Sequence, residues 1–149
     1  MTATVRPIAA GDAESWRPLF TAYGVFYETD FTDEILDRVW ALLLDAASGV
    51  DGLVAEDEHG DVVGFAHYRS HPDTFTGGRD WFLDDLYVTE EARGLGAATA
   101  LIQHLTTLAR ASSPAGTLRW ITADDNHRAQ RVYDRLAKRT TWVTYEVRL

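Results

Sequence analysis

Apolar residues along the chain switch between two periodicities, and the switches mark the elements. Thr4 to Ile8 reads as a short opening strand. Trp16, Leu19, Phe20 and Tyr23 then recur at helical spacing, with Asp12 placed as the N-cap of that helix. Phe31-Thr32-Asp33 breaks the pattern, and Ile35, Leu36, Val39, Trp40 and Leu43 form the apolar face of a second helix. Gly52 to Glu56 and Val62 to Tyr68 read as a hairpin closed by Asp57-Glu58-His59-Gly60-Asp61. The stretch from Arg69 to Arg79, with Pro72, Gly77 and Gly78, reads as a loop, and Asp80 to Thr89 as an aromatic, branched strand. Ala98, Leu101, Ile102, Leu105, Leu108 and Ala109 make a strongly amphipathic third helix, ended by Ser112-Ser113-Pro114-Ala115-Gly116. Leu118 to Thr122 predicts a strand and Asn126 to Ala137 a helix burying Ala129, Val132, Tyr133 and Leu136. Trp142 to Leu149 alternates like a strand that closes the sheet. The predicted order is β-α-α-β-β-β-α-β-α-β, an α/β domain with mixed strand pairing.

Composition narrows the function classes. The 149 residues suit one domain spanning residues 1–149, and 46% hydrophobic with 25% charged residues gives a packed core rather than a disordered chain. The net charge of −9 opposes nucleic-acid binding, which needs a basic footprint. The absence of cysteine excludes disulfides, thiolate metal sites and a cysteine-borne acyl intermediate. Without 18 consecutive apolar residues or a signal-like start, no membrane partner is expected, and the expected location is cytoplasmic. The charge is also uneven. Residues 1–75 carry 14 carboxylates against four arginines, whereas residues 76–149 carry ten basic and nine acidic groups. A cationic ligand suits the first half and an anionic one the second, although acidic surface also serves simply to solubilise.

The segment Tyr87 to Ala98 joins a strand to the strongest helix. Two glycines and two alanines leave the main chain bare where the helix begins, so unpaired N–H groups at its positive end can converge on an anion. Neither the P-loop nor the dinucleotide fingerprint fits, because no Gly-Lys-Ser/Thr follows and no third glycine stands at the required offset. From spacing alone, a phosphate cradle and a tight, closely packed turn remain equally good readings.

Leu83-Asp84-Asp85-Leu86-Tyr87-Val88 followed by Arg93-Gly94-Leu95-Gly96-Ala97-Ala98 resembles the core motif of the GNAT superfamily of acyl-CoA N-acyltransferases, Gln/Arg-x-x-Gly-x-Gly/Ala after a strand. Asn126-His127-Arg128-Ala129-Gln130-Arg131-Val132-Tyr133 resembles its second motif, Asn-x-x-Ala-x-x-x-Tyr. The acidic pair before Leu-Tyr-Val is similar to the polyamine-type and HPA-like branch, while Ala137-Lys138-Arg139 replaces the Gly-Phe many members carry after this helix. The resemblance implies a single-domain fold with a mostly antiparallel, twisted sheet flanked by helices. In that fold acetyl-CoA lies where two strands splay apart. It further implies that backbone groups of Leu86, Tyr87 and Val88 pair with the pantetheine arm, that Arg93, Gly94, Leu95, Gly96, Ala97 and Ala98 hold the pyrophosphate, and that Asn126 bonds the pantetheine side. Arg128 and Arg131 are candidates for the adenosine phosphates or merely a solvated helix face.

Acyl transfer to an amine needs a neutral nucleophile, a polarised thioester carbonyl and a proton for the departing thiolate. With the resemblance, Tyr133 becomes the candidate general acid, although spacing alone favours a core tyrosine. Asp84, acting through water, is the first candidate to take the amine's proton, and Asp85 the second, with a structural role as its alternative. Adjacent strand residues face opposite ways, so only one should enter the cleft unless a bulge intervenes. His67 is a further candidate base, or a packed core histidine. Without cysteine, direct attack in a ternary complex is expected. Tyr23, Phe26, Tyr27, Glu28, Asp30 and Asp33 cluster in the break between the first two helices, which in the superfamily overhangs the acceptor. Aromatic faces with carboxylates, Asp84 included, suit a primary amine, polyamine or lysine-like side chain. The competing function is a noncatalytic acyl-CoA-binding module. No metal is expected, and the last strand suggests a homodimer.

Overall fold

The computed structural model describes residues 2–112 and 115–149. Its elements are β1 (Thr4–Pro7), α1 (Ala13–Phe26), α2 (Asp33–Leu44), β2 (Asp51–Glu56), β3 (Val62–Pro72), β4 (Arg79–Val88), α3 (Ala97–Ser112), β5 (Leu118–Arg119) and α4 (His127–Leu136). Among the described residues the strands form one sheet in the order β1-β2-β3-β4-β5, antiparallel except for the parallel β4–β5 pair.

Both faces of the sheet are covered, and for that reason β2 is buried without interruption from Gly52 to Ala55. Leu53, Ala66, Tyr68, Trp81 and Leu83 pack with Leu101, Ile102 and Leu105 of α3. On the other face Val54 and Phe65 pack with Trp16, Leu19 and Phe20 of α1 and Leu36 and Leu43 of α2. Ile35, predicted on the inner face of α2, is exposed because it stands in the helix's first turn, ahead of the buried Leu36 stripe. Thr32 caps that helix by accepting from the Ile35 N–H.

Asp12 does not cap α1. Its carboxylate turns back to the Ala9 N–H at 2.7 Å and to two Arg6 nitrogens at 2.8 Å each, since a guanidinium plus an amide offers more than one helical N–H. The Arg6 guanidinium holds this buried carboxyl below its ordinary value of 3.8. Asp12→Ala is expected to cost about 2–3 kcal/mol at neutral pH. With the folded pKa lowered, the contribution is complete above pH 3.8 and is lost as the pH falls through the folded value. Urea melts of both proteins at pH 7 and pH 3 check that convergence.

Three predicted boundaries move. The Arg69–Arg79 segment is strand at both ends, with β3 and β4 paired out to Pro72 and Arg79 across a short turn at 73–78. Pro72 fits there because it is the last residue of its strand. β5 keeps only Leu118 and Arg119 of the predicted five residues. The largest correction concerns Trp142–Leu149, which does not close the sheet. Residues 138–149 form no strand and are exposed throughout, with Trp142 at 84% and Tyr145 at 93%. The alternation is real, but among the described residues no neighbouring edge meets it. In the predicted stop of the third helix, Ser113 and Pro114 lie outside the described residues.

Candidate active site

The β4–β5 pairing covers only Trp81–Phe82, so the two strands part and the outer edge of Leu83–Val88 faces no strand among the described residues. A cavity of about 260 Å³ fills the gap. Leu86, Tyr87 and Val88 line one wall and Asn126, Ala129, Val132 and Tyr133 of α4 the other. Arg93, Gly94, Gly96, Ala97 and Ala98 form the floor, whereas Leu95 is exposed and turned away.

Gly94 and Gly96 sit at φ 80° and 91°, a region that side chains enter only with strain, and both have open space where a Cβ would stand. They deliver the chain into α3, where Ala100 is the first residue to bond back, to Gly96. The first-turn N–H groups of Ala97, Ala98 and Thr99 thus have no intrahelical acceptor and border the cavity. This arrangement fits a pyrophosphate. Arg93 braces the turn more than it offers a free charge: its Nε donates to the Val88 carbonyl at 3.2 Å and its guanidinium lies over Tyr87 beside Glu90.

Asn126 caps α4, accepting from the Ala129 N–H at 3.4 Å and donating to Thr122 Oγ1 at 3.3 Å. Seven residues on, Tyr133 comes to the same face and meets Trp120 edge-on. Burial, with Tyr27 adding, pushes its pKa up to about 12, so its hydroxyl stays protonated throughout the neutral range. Arg128 borders the cavity, joined by Arg135, but Arg131 does not.

The acidic pair is settled by a bulge. His67 pairs with Asp85 and Tyr68 with Leu83, leaving Asp84 as an extra residue on β4. Trp81 and Leu83 face α3 before the bulge and Leu86 and Val88 after it. Asp84 and Asp85 therefore both face α1. Asp84 accepts from Arg69 Nε at 3.0 and 3.2 Å. Desolvation nonetheless lifts its pKa, with Arg69 opposing and the Asp85 charge adding to the rise. It lines a recess of about 20 Å³ with Tyr23, Tyr27 and Tyr133, room for roughly one water.

Asp85 meets His67 Nδ1 at 2.9 Å, and the other ring nitrogen of His67 accepts from Trp16 Nε1 at 3.0 Å. That chain of three residues was not legible as a unit in the sequence. Tyr23 and Tyr27 stand over the site edge to face at 5.0 Å. Burial first, then the charge of Asp85 and a hydrogen bond to it, raise the pKa of Tyr23. Phe26 also lines the cavity, but Glu28 does not: it sits at φ 57° just past the end of α1, exposed. Asp30 is exposed as well, and Asp33 is paired with Arg17.

A model of the acetyltransferase (GNAT) family matches residues 14–137, the whole span from α1 to the end of α4. The chain belongs to the GNAT acetyltransferase family. As a GNAT enzyme it transfers an acetyl group from acetyl-CoA to an amine. It is similar to the D-amino-acid N-acetyltransferase HPA3 of Saccharomyces cerevisiae (strain ATCC 204508 / S288c), with 35% identity over 144 residues, covering 95% of this chain and 88% of that protein. The fold matches ribosomal-protein-alanine N-acetyltransferase from Brucella melitensis biovar Abortus 2308 at 24% identity and a TM-score of 0.82, covering both chains fully. It also matches AAC(6')-Iy, solved with a CoA-acetylneamine bisubstrate analogue, at 20% identity and a TM-score of 0.82, over 100% of this chain and 99% of that one. Among the described residues no helix is long and apolar enough to cross a membrane.

Proposed function

We propose that this GNAT enzyme acetylates a small primary amine or a lysine-like side chain by direct attack within a ternary complex. The observation that carries this reading is the convergence of Tyr133 and Asp84 on one recess beside the splayed strands. The thioester brings a carbonyl open to attack and a thiolate able to leave. The free edge of Leu86–Val88 aligns the pantetheine arm, the Gly94–Ala98 amides hold the pyrophosphate, and Asn126 borders the arm from α4. Asp84, with its raised pKa, takes the ammonium proton through one water, and Tyr133 gives a proton to the departing sulfur. A noncatalytic acyl-CoA sensor has no use for that acid and base pair.

The acceptor reading rests on Tyr23, Tyr27 and the carboxylates beneath them, not on Glu28. Arg69 beside Asp84 adds a positive group suited to an acceptor's carboxylate, which brings D-amino acids, named for the yeast relative, into the same panel. Coenzyme A release measured across amines, amino acids, alcohols and anionic acceptors tests the class. Turnover is expected for amines, and turnover confined to neutral or anionic acceptors contradicts the reading.

Residues 1–149 are read as one N-acetyltransferase domain acting in the cytoplasm. Val143, Tyr145, Val147 and Leu149 alternate with polar residues along the exposed tail, which supports a homodimer built by pairing with a second copy's sheet. Light scattering after chromatography is expected to show a dimer for the full chain and a monomer once residues 139–149 are removed.

A further inference from the structure

We propose that Asp85 holds the acceptor's ammonium group as its counter-ion, and that His67, clamped by Trp16, is the positioning residue that keeps Asp85 available. This assignment rests on the amine-acetylating reading and adds a residue to it.

The hydrogen-bond chain fixes every proton in it. An indole nitrogen only donates, so the Trp16 Nε1–H directed at His67 Nε2 at 3.0 Å requires a lone pair there. The ring proton therefore sits on Nδ1, facing Asp85 Oδ2 at 2.9 Å. Trp16 is 1% and His67 2% exposed, and Phe20 and Phe65 pack on the imidazole with ring centroids 5.0 and 4.6 Å away. To take up a proton, Nε2 would have to give up its indole donor and carry charge inside an aromatic box. His67 is consequently neutral and fixed in orientation. It is a hydrogen-bond donor to Asp85, not the amine's base.

Asp85 is left with an unmatched charge. Its partners, the His67 N–H and the Tyr23 hydroxyl, are both neutral. The adjacent Arg69 directs its Nε to Asp84 and not to Asp85. The charged or titratable groups facing the pair are His67 and Arg69 from β3, Tyr23 and Tyr27 from α1, and Tyr133 from α4. Among the described residues none of these supplies a cation to Asp85. A carboxylate with a side chain 26% exposed, held from behind and roofed by tyrosine rings, lacks only a cation, and a protonated amine is one. The two acids thus divide the work: Asp85 anchors the ammonium, and Asp84 receives its proton.

The test measures binding of 1,4-diaminobutane by calorimetry in the presence of coenzyme A, alongside its steady-state acetylation. Asp85→Asn keeps an acceptor for the His67 N–H and removes the charge. It is expected to weaken diamine binding and raise the amine KM at least about tenfold, with the acetyl-CoA KM unchanged. His67→Leu should do the same, and His67→Asn, which puts an N–H near the Nδ1 position, should recover part of the loss. Trp16→Phe removes the donor that fixes the tautomer and orientation of the ring, so diamine binding should weaken in that variant as well. A merely structural role for His67 would lower melting temperature while leaving the amine KM alone. If His67→Leu does not fold, Asp85→Asn and His67→Asn carry the test. Unchanged diamine affinity in Asp85→Asn overturns the proposal, as does a parent that binds no diamine. A parent that binds the diamine without acetylating it leaves the anchor standing and overturns the catalytic reading instead.

Discussion

Replacing Tyr133 by phenylalanine lowers kcat about a hundredfold, with the KM for acetyl-CoA little changed. Phenylalanine keeps the ring and its edge-on contact with Trp120, so the cavity wall survives. Only the proton is lost. A thiol of ordinary pKa near 8.5 is a fair leaving group without help, which holds the effect toward the low end for a positioned acid. The group's pKa of about 12 means the parent keeps this donor at every pH at which the fold is assayed. The Phe variant should therefore be slower by the same factor from pH 6 to 9. Single-turnover coenzyme A release separates this loss of chemistry from a loss of binding.

Asp84→Asn produces the second large effect, a fall in kcat/KM for the amine of about 10²-fold at neutral pH. Its sign across pH follows from the environment. Desolvation and the Asp85 charge keep the Asp84 carboxyl protonated to higher pH than an ordinary aspartate, with Arg69 opposing. The base is active only when ionised, so the parent's rate rises as pH climbs through that raised pKa, and the asparagine variant lacks this limb. Arg69→Met, which removes the opposing cation, should move the limb further upward, and rate profiles of the three proteins check the order.

Much of the fold was legible because it rests on strong local patterns. The α3 stripe, the aromatic β4 and the Asp57–Asp61 turn each follow from periodicity or turn chemistry, and the left-handed Gly94 and Gly96 follow from small residues at a helix start. What escaped detection depended on pairing partners far along the chain. The tail alternates as a strand should, yet pairing needs an edge, and no sequence pattern says whether that edge belongs to the same molecule. Local rules place Asp12 at the helix start, and Arg6 takes its carboxylate from that N–H only because β1 sets the guanidinium alongside. The acidic pair held a usable signal: two consecutive carboxylates stand between the apolar runs Trp81–Leu83 and Leu86–Val88, and a bulge is what turns both to one face. Trp16 and His67 stand 51 residues apart, so their contact, and the tautomer it fixes, belong to tertiary packing alone.

Calorimetric titration with acetyl-CoA tests the foundation most directly. The unpaired amides at the head of α3, framed by two left-handed glycines, predict saturable binding at one site per chain, weakened when Gly96 is replaced by valine. Heat no different from buffer at millimolar acetyl-CoA would contradict the account.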